Sequence, residues 1–442
     1  MPGLGDRVAR GVTFWGTVGA VMTALKLKER YDDYSHLSNE EDGLGHGPVA
    51  LQNPNLDEEA ADGASLLDTT LPSGRPKRQS KRDCCVCCGM RCGLFWKAFG
   101  IVLLLFLGWQ AIRLTFWAVK PKPTGLEGMP EFSMSLGCTN APHLYKGAKL
   151  DIHIPVGLHK DDHSLDVRGA AVGTIVLAQG DEDLTDVKYE LTMRSDDVTL
   201  FDNVVLDYPT QEDIDEGMKH SRLQLATPKN LGTGCARFDA TIYLPRSLRT
   251  LHVQAHSATQ LKFDPDSELA FDKLSVSMYS HDTRTMLLPT ERVRARGAKL
   301  IVTRGWLVGD VAVADQTTLT TQDGDAVLNV RAHPSESGSG PARFMTSTGA
   351  GRADVWWVAP PSGDAVPRRA IDSTHHTSMG GEVYLTYTDA AFNGTVDLTA
   401  RSYYAVGLKN ALKQDGGLPY VGSREGPDRM LVKAQGYVAL SF

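Results

Sequence analysis

The sequence holds no phosphate loop of the GxxxxGK type and no GxSxG nucleophile elbow, so the usual signatures of nucleotide-phosphate chemistry and of serine-type acyl transfer are missing. The DxDxDG calcium loop is absent, as is the GGxGxDxUx repeat of calcium-binding solenoids. Basic residues do not exceed acidic ones. Against 46 Lys and Arg stand 53 Asp and Glu, a net charge of -7, which argues against a general nucleic-acid-binding surface and leaves nucleic acid out of the expected partners. Cysteine is scarce beyond residue 92, where only Cys138 and Cys235 occur. Only one N-glycosylation sequon is noted, Asn393-Gly394-Thr395.

Charge is also missing from one continuous stretch. Ala98 to Ile112 contains no charged residue, and the apolar run resumes from Leu114 to Val119. As a helix, Ala98 to Val119 would measure roughly 33 Å, enough for a hydrocarbon core of about 30 Å. Trp96 and Trp117 stand near its ends, where amphipathic rings favour the headgroup level. The segment 93–120 therefore reads as one transmembrane helix. Arg75, Lys77, Arg78, Lys81, Arg82, Arg91 and Lys97 precede it, against Arg113, Lys120 and Lys122 at its far end. That bias predicts a signal-anchor with its N-terminus in the cytosol and its C-terminal domain extracellular or luminal, at the plasma membrane or in the secretory pathway.

Cysteine placement agrees. Cys84, Cys85, Cys87, Cys88 and Cys92 crowd the predicted cytosolic flank. A reducing cytosol tolerates such a cluster and an oxidising lumen suits a pair, so Cys138 and Cys235 are expected to form a disulfide. The flanking thiols are candidates for S-palmitoylation. Zinc is the rival reading, without the two separated knuckles of structural sites.

The head of the chain divides in two. Residues 1–34 contain an uncharged stretch, Gly11 to Leu25, bracketed by Arg7, Arg10, Lys26 and Lys28. It fits an interfacial helix, with a weak signal peptide or a second span as alternatives. Residues 35–92 are poor in apolar side chains, acidic first and basic last, and read as a disordered cytosolic tail drawn to anionic membrane lipids. Residues 121–148 form a Pro- and Gly-bearing stem.

From 149 to 442 the grammar changes to short runs of period two, such as Val187-Lys188-Tyr189-Glu190-Leu191-Thr192-Met193. No long helical pattern occurs before Tyr403; Tyr404 to Lys413 looks helical. From about Leu248 onward, apolar strands flank polar corners bearing Gly305, Gly324, Gly349, Gly394 or Gly436. Repeats of this kind, each burying a face against the next, predict an all-β solenoid. A β-sandwich is the alternative. The corner glycines are expected to supply positive φ.

This ladder of strand, glycine corner and strand resembles an adhesin-like β-solenoid domain family of bacterial and fungal membrane proteins. The layout as a whole is similar to uncharacterised fungal single-pass proteins, with Ala171-Val172-Gly173-Thr174-Ile175 opening the block. The resemblance implies a right-handed parallel β-helix with no assigned enzyme activity.

Candidate chemistry is thin. His159 and His163 lie four apart with Asp161 and Asp162 between them, but LHKDDHSLD reads as a solvated turn, and so does DSTHHTSMGG around His375 and His376. Asp181-Glu182-Asp183 and Asp264, Asp266 and Glu268 lack calcium-loop spacing. Trp356-Trp357 would place one ring in the core and one outside, where it could stack on a sugar or cover an end of the stack. No catalytic residue, metal or cofactor is expected. Three roles compete: surface binding, adhesion or scaffolding through an unknown protein or glycan ligand; a carbohydrate-active enzyme on a β-helix; and a trafficking scaffold acting through the tail.

Overall fold

The computed structural model describes residues 19–28, 30–31, 86–87, 90–119, 125–158, 160–217, 219–335, 340–359, 368–411 and 416–442. The chain divides into two compact units, Met1–Lys122 and Pro123–Phe442. Most of the segment read as a cytosolic tail lies outside the described residues, as does the first part of the expected interfacial helix.

In the first unit, α1 covers 19–28. A short antiparallel pair, β1 (Val86–Cys87) and β2 (Met90–Arg91), leads into α2 (Cys92–Val119). At 28 residues α2 is about 42 Å long. It is the one described helix long and apolar enough to cross a membrane, over Phe95–Arg113, with mean hydropathy 1.7. Leu104, Leu105, Leu107, Trp109 and Ile112 are all exposed along it.

The second unit is almost entirely strand. It begins with β3 (His143–Leu144), β4 (Leu150–Pro155), β5 (Asp162–Arg168), β6 (Val172–Gln179), β7 (Asp186–Ser195) and β8 (Val205–Asp207). After a one-turn helix α3 (Gln211–Asp215) come β9 (Ser221–Ala226), β10 (Ala236–Leu244), β11 (Thr250–Ala255), β12 (Thr259–Phe263), β13 (Leu269–Met278) and β14 (Met286–Leu288). The stack continues through β15 (Val293–Val302), β16 (Trp306–Val313), β17 (Gln316–Thr321), β18 (Val327–Pro334), β19 (Ala342–Thr348) and β20 (Arg352–Trp357). It closes with β21 (Ile371–Thr377), β22 (Glu382–Thr386), β23 (Gly394–Val406), β24 (Tyr420–Val421) and β25 (Asp428–Ser441).

Consecutive strands alternate between two parallel ladders, so each coil gives one strand to each. Sheet one runs in space β9–β5–β11–β13–β15–β17–β19–β21–β25–β23, parallel throughout. Sheet two runs β10–β6–β12–β14–β16–β18–β20–β22–β25–β23, also parallel. The sheets are not closed, and antiparallel β7 and β4 extend sheet two beyond β10. This is a parallel β-solenoid, and the sandwich alternative falls because antiparallel pairs occur only toward its ends. Strands β23 and β25 are long enough to bend from one sheet into the other.

Register puts like residues above like. In sheet two, Ile175, Leu261, Leu287, Leu307, Leu328, Ala353, Val383 and Val438 form one inward column. All are buried and belong to one continuous core. Burying each Leu, Ile or Val contributes about 1.5–3 kcal/mol.

Both ends carry the same reversal. The first coil, β5 and β6, lies between β9/β10 and β11/β12. The strand β25 lies between β21/β22 and β23. The outermost coil at each end is thus a segment from inside the chain, which spares the next coil a bare apolar face.

Two expectations are corrected. Tyr404 lies in β23 and is extended through Val406, because its backbone pairs with Ala439 of β25. Of the five corner glycines only Gly305 has positive φ, 113°. At Gly349, Gly394 and Gly436 the constraint is crowding between coils. A Cβ would stand 1.9 Å from the Gln322 carbonyl oxygen, 1.9 Å from that of Asp428 and 2.3 Å from that of Gly381. Gly351 and Gly381 continue this column, at 1.9 Å from the Ala326 oxygen and 2.5 Å from the Gly351 oxygen. At Gly324 the nearest atom is the Ala350 Cβ, at an ordinary 3.5 Å.

Gly351→Ala is therefore expected to destabilise the second unit by about 1–3 kcal/mol, whereas Gly324→Ala leaves the unfolding midpoint in urea nearly unchanged. Equal midpoints for the two variants would refute the crowding account.

Candidate binding face

Residues 125–138, which precede β3, lie along the outer side of sheet two as a strap. Near Gly125, Arg352 and Asp354 of β20 stand so close that a Cβ would meet the Asp354 Oδ2 at 2.8 Å. Further on, the Ser133 N–H donates to the Gln260 Oε1, and the Gln260 Nε2 donates to the Ser135 Oγ at 2.9 Å. The Arg284 guanidinium donates to the Leu136 carbonyl at 3.3 Å. The Arg237 guanidinium donates to the Ser133 and Gly137 carbonyls at 2.8 and 2.9 Å. Its Nη2 donates to the Asp239 Oδ1 at 2.8 Å, and the Arg237 side chain is only 2% exposed. A buried cation is tolerated only when its donors are filled in this way. A disulfide joins Cys138 to Cys235, just before β10, with Cα atoms 6.1 Å apart.

Outward-facing Met286 and Trp306 are buried although they lie outside the core between the sheets. Arg237 and Asp239, Asp282 and Arg284, and Arg352 and Asp354 share one device. In each, an acid and an arginine stand two residues apart. In the first and third pairs the two side chains project from the same side of a strand, β10 or β20, while Asp282 and Arg284 meet within the turn that precedes β14. That R-x-D or D-x-R spacing was readable in the sequence and was missed. Burial raises the Asp354 carboxyl above the usual carboxylate range, against the opposing pull of Arg352.

Where the strap is absent, toward β22 and β23, sheet two presents aromatic rings. Val355, Trp357, Val383, Leu385, Val438 and Leu440 point into the core. Alternation then turns Trp356, Tyr384, Thr386, Tyr437, Ala439 and Ser441 outward. Register aligns Tyr384, Ala439 and Tyr404 in one column and Trp356, Thr386, Ser441 and Val406 in the next. Tyr384 and Tyr437 meet edge to face at 6.0 Å. Arg352 lies over the Tyr384 ring at 4.2 Å, and the Tyr384 hydroxyl donates to the Glu382 Oε2 at 2.9 Å. Burial, with the Glu382 contact next, pushes the Tyr384 phenol up to about 12. Tyr404 is 61% exposed. The two adjacent tryptophans divide as expected: Trp357 is buried, stacked on Tyr387 at 5.5 Å, while Trp356 is half-buried.

The histidine expectations are corrected. His163 and His375 are not in solvated turns but on β5 and β21, each 1% exposed. Alternation carries both into the core, where each bridges a hydroxyl of sheet one and a tyrosine. The His163 Nδ1 lies 2.6 Å from the Ser221 Oγ, and its Nε2 is hydrogen-bonded to the Tyr189 hydroxyl. The His375 Nδ1 lies 2.8 Å from the Thr346 Oγ1 and its Nε2 lies 3.0 Å from the Tyr387 hydroxyl. Burial pushes both imidazoles down to about 3. His376 is exposed, and His159 lies outside the described residues.

The remaining residues are placed as follows. Asn393 lies just before β23, where its Oδ1 accepts from the Ser423 N–H at 2.7 Å. Nearby, the fully buried Asp428 carboxylate accepts from the Ile371 N–H at 2.8 Å, from the Asn393 N–H at 2.6 Å and from Arg368. Asp181, Glu182 and Asp183 are exposed, and Asp264 accepts from the Ser267 hydroxyl within its own turn. Among the described residues no group of three acids, histidines or cysteines could hold a metal. Cys84, Cys85 and Cys88 lie outside the described residues, and only the backbone of Cys87 and Cys92 is described.

No family model matches the chain. No curated protein matches it either. Among solved structures, a candidate cell adhesion protein from Clostridium sporogenes is 9% identical, with 66% of this chain and 98% of that one covered at a TM-score of 0.24. A candidate adhesin from Bacteroides fragilis is 11% identical, with 68% and 98% covered at 0.27. A candidate lipid-binding protein from Parabacteroides distasonis is 12% identical, with 66% and 97% covered at 0.23. Likeness this low adds nothing to the strand pairing, on which the fold rests.

Two stability predictions follow from these contacts. The folded imidazoles of His163 and His375 are depressed from 6.5 to about 3. The unfolded chain therefore binds more protons between these values, and stability is full above pH 6.5 and falls as pH drops toward 3. Each histidine contributes about 1.4 kcal/mol per pH unit in that window. Urea titrations from pH 7 to pH 4 should show the loss, and His163→Gln and His375→Gln should each flatten it. Separately, the disulfide spans 97 residues, so Cys138→Ser should cost about 4–5 kcal/mol and expose residues 125–138 to protease.

Proposed function

We propose that the chain is a single-pass membrane protein that displays its β-solenoid outside the cytosol as a non-catalytic binding domain. The observation that carries this reading is the division of the chain around α2. An apolar helix follows a cysteine-rich basic flank and precedes a solenoid whose two cysteines are joined in a disulfide. Disulfides persist in oxidising compartments, and the excess of basic residues before α2 favours a cytosolic N-terminus. The juxtamembrane thiols would carry acyl chains beside the bilayer, and Asn393 would carry a glycan on the opposite side.

A binding role is favoured over catalysis by where the polar groups sit. Both buried imidazoles are sealed between the sheets with their nitrogens engaged by hydroxyls, so neither meets a substrate. One group of residues on the outer side of sheet two is aromatic, with Tyr404 exposed and Trp356, Tyr384 and Tyr437 half-buried, and aromatic rings are enriched at contact surfaces.

Membranes from cells expressing the chain should protect residues 125–442 from added protease, and glycosidase should shift the band through Asn393. Beads coated with the purified chain should adhere to cell surfaces or extracellular matrix. A C-terminal unit digested in sealed vesicles whose cytosolic face is outward, together with an unshifted band, would overturn the topology. Coated beads that adhere no better than blank beads would overturn the binding role.

A further inference from the structure

We propose that the outer face of sheet two over β20, β22, β25 and β23 binds a neutral, extended oligosaccharide of β-linked hexose units. The inference rests on the binding role above and names its ligand class and its site.

Four rings lie on four adjacent strands: Trp356 on β20, Tyr384 on β22, Tyr437 on β25 and Tyr404 on β23. They zigzag, because Tyr384 and Tyr404 share a column while Trp356 stands one column to one side and Tyr437 one column to the other. Between the rings lie Thr386, Ala439, Ser441 and Ser402, small residues that leave the surface indented. Parallel strands lie roughly 4.8 Å apart, about the length of one sugar unit in an extended glycan. A chain crossing the strands would therefore bring successive units into step with successive strands. Rings placed this way stack on the flat C–H faces of pyranoses, and hydroxyl side chains between them meet the equatorial hydroxyls.

The charges select a neutral ligand. Arg352 is paired with Asp354 at 2.5 Å and Arg331 with Asp310 at 2.6 Å. Each of these arginines is thus matched by a carboxylate within the protein and offers little excess positive charge to an anionic ligand. Glu382 already accepts from the Tyr384 hydroxyl, and a carboxylate has capacity for further hydroxyl donors. A protein partner would call for an apolar centre ringed by polar groups. Here rings alternate with hydroxyls throughout. β-Linked chains with equatorial bonds are flat ribbons that fit a flat sheet, whereas coiled α-glucans would touch it at isolated points.

The test uses the full chain in detergent micelles, titrated with cellohexaose, chitohexaose and laminarihexaose and followed by tryptophan fluorescence and calorimetry. At least one hexamer is expected to bind saturably. Trp356→Ala and Tyr404→Ala should each weaken it about fivefold to tenfold, with an unchanged circular dichroism spectrum. Met345→Ala, on the outer side of sheet one, should leave it unaltered. Binding by none of the three hexamers overturns the proposal, as does binding that both ring variants leave intact. If coated beads still adhere to cells while no hexamer binds, the binding role stands and the glycan assignment falls. Adhesion lost in the ring variants without hexamer binding would assign the face to a protein and likewise overturn the proposal.

Discussion

Two parallel strands cannot be joined by a tight turn, so the chain must travel away and return before it can pair with itself in the same direction. In this protein the excursion is the facing strand of the other sheet. Each coil therefore depends on its neighbour for hydrogen bonds in both sheets at once. A slip of one residue in either sheet would turn every inward Leu and Val outward. That dependence explains why coil corners carry Gly349, Gly351, Gly381 and Gly436, where carbonyl oxygens of the adjacent coil pass too close for a side chain. It also explains why the outward columns are regular enough to align rings from four strands.

The polar interior follows the same logic. His163 pairs in register with Ser221, and Thr346 with His375, so both imidazoles occupy inward positions of sheet one near opposite ends of the stack. Each takes a tyrosine hydroxyl as its second partner. Buried polar groups of this kind are tolerated because both ring nitrogens are satisfied. They hold sheet one to tyrosines across the core where the regular leucine column gives way to the end structures.

Much of the fold was legible in the sequence because period two is a local property. The alternation in β7 and the apolar helix at Phe95–Arg113 could be read from neighbouring residues. What escaped is non-local. His163 finds Tyr189 and Ser221 at separations of 26 and 58 residues, so a histidine flanked by aspartates looked like a turn. The insertion of β25 between β21 and β23 leaves no trace in spacing. Tyr404 looked helical because the pairing that extends it lies in another strand. Of the aromatic face, only Trp356 could be singled out. Tyr384, Tyr437 and Tyr404 converge through register alone.

The strap has a mechanical meaning. Tension entering the second unit along residues 125–138 would not pull on a chain end. It would load the strap in shear along sheet two, against the Gln260 and Arg237 contacts at Ser133 and then the Arg284 contact at Leu136. Whatever force passed these would reach the Cys138–Cys235 bond and be delivered covalently beside β10, which is held by β6 on one side and β7 on the other. Traction is thereby spread over several coils before any strand is asked to peel, the arrangement of a load-bearing tether.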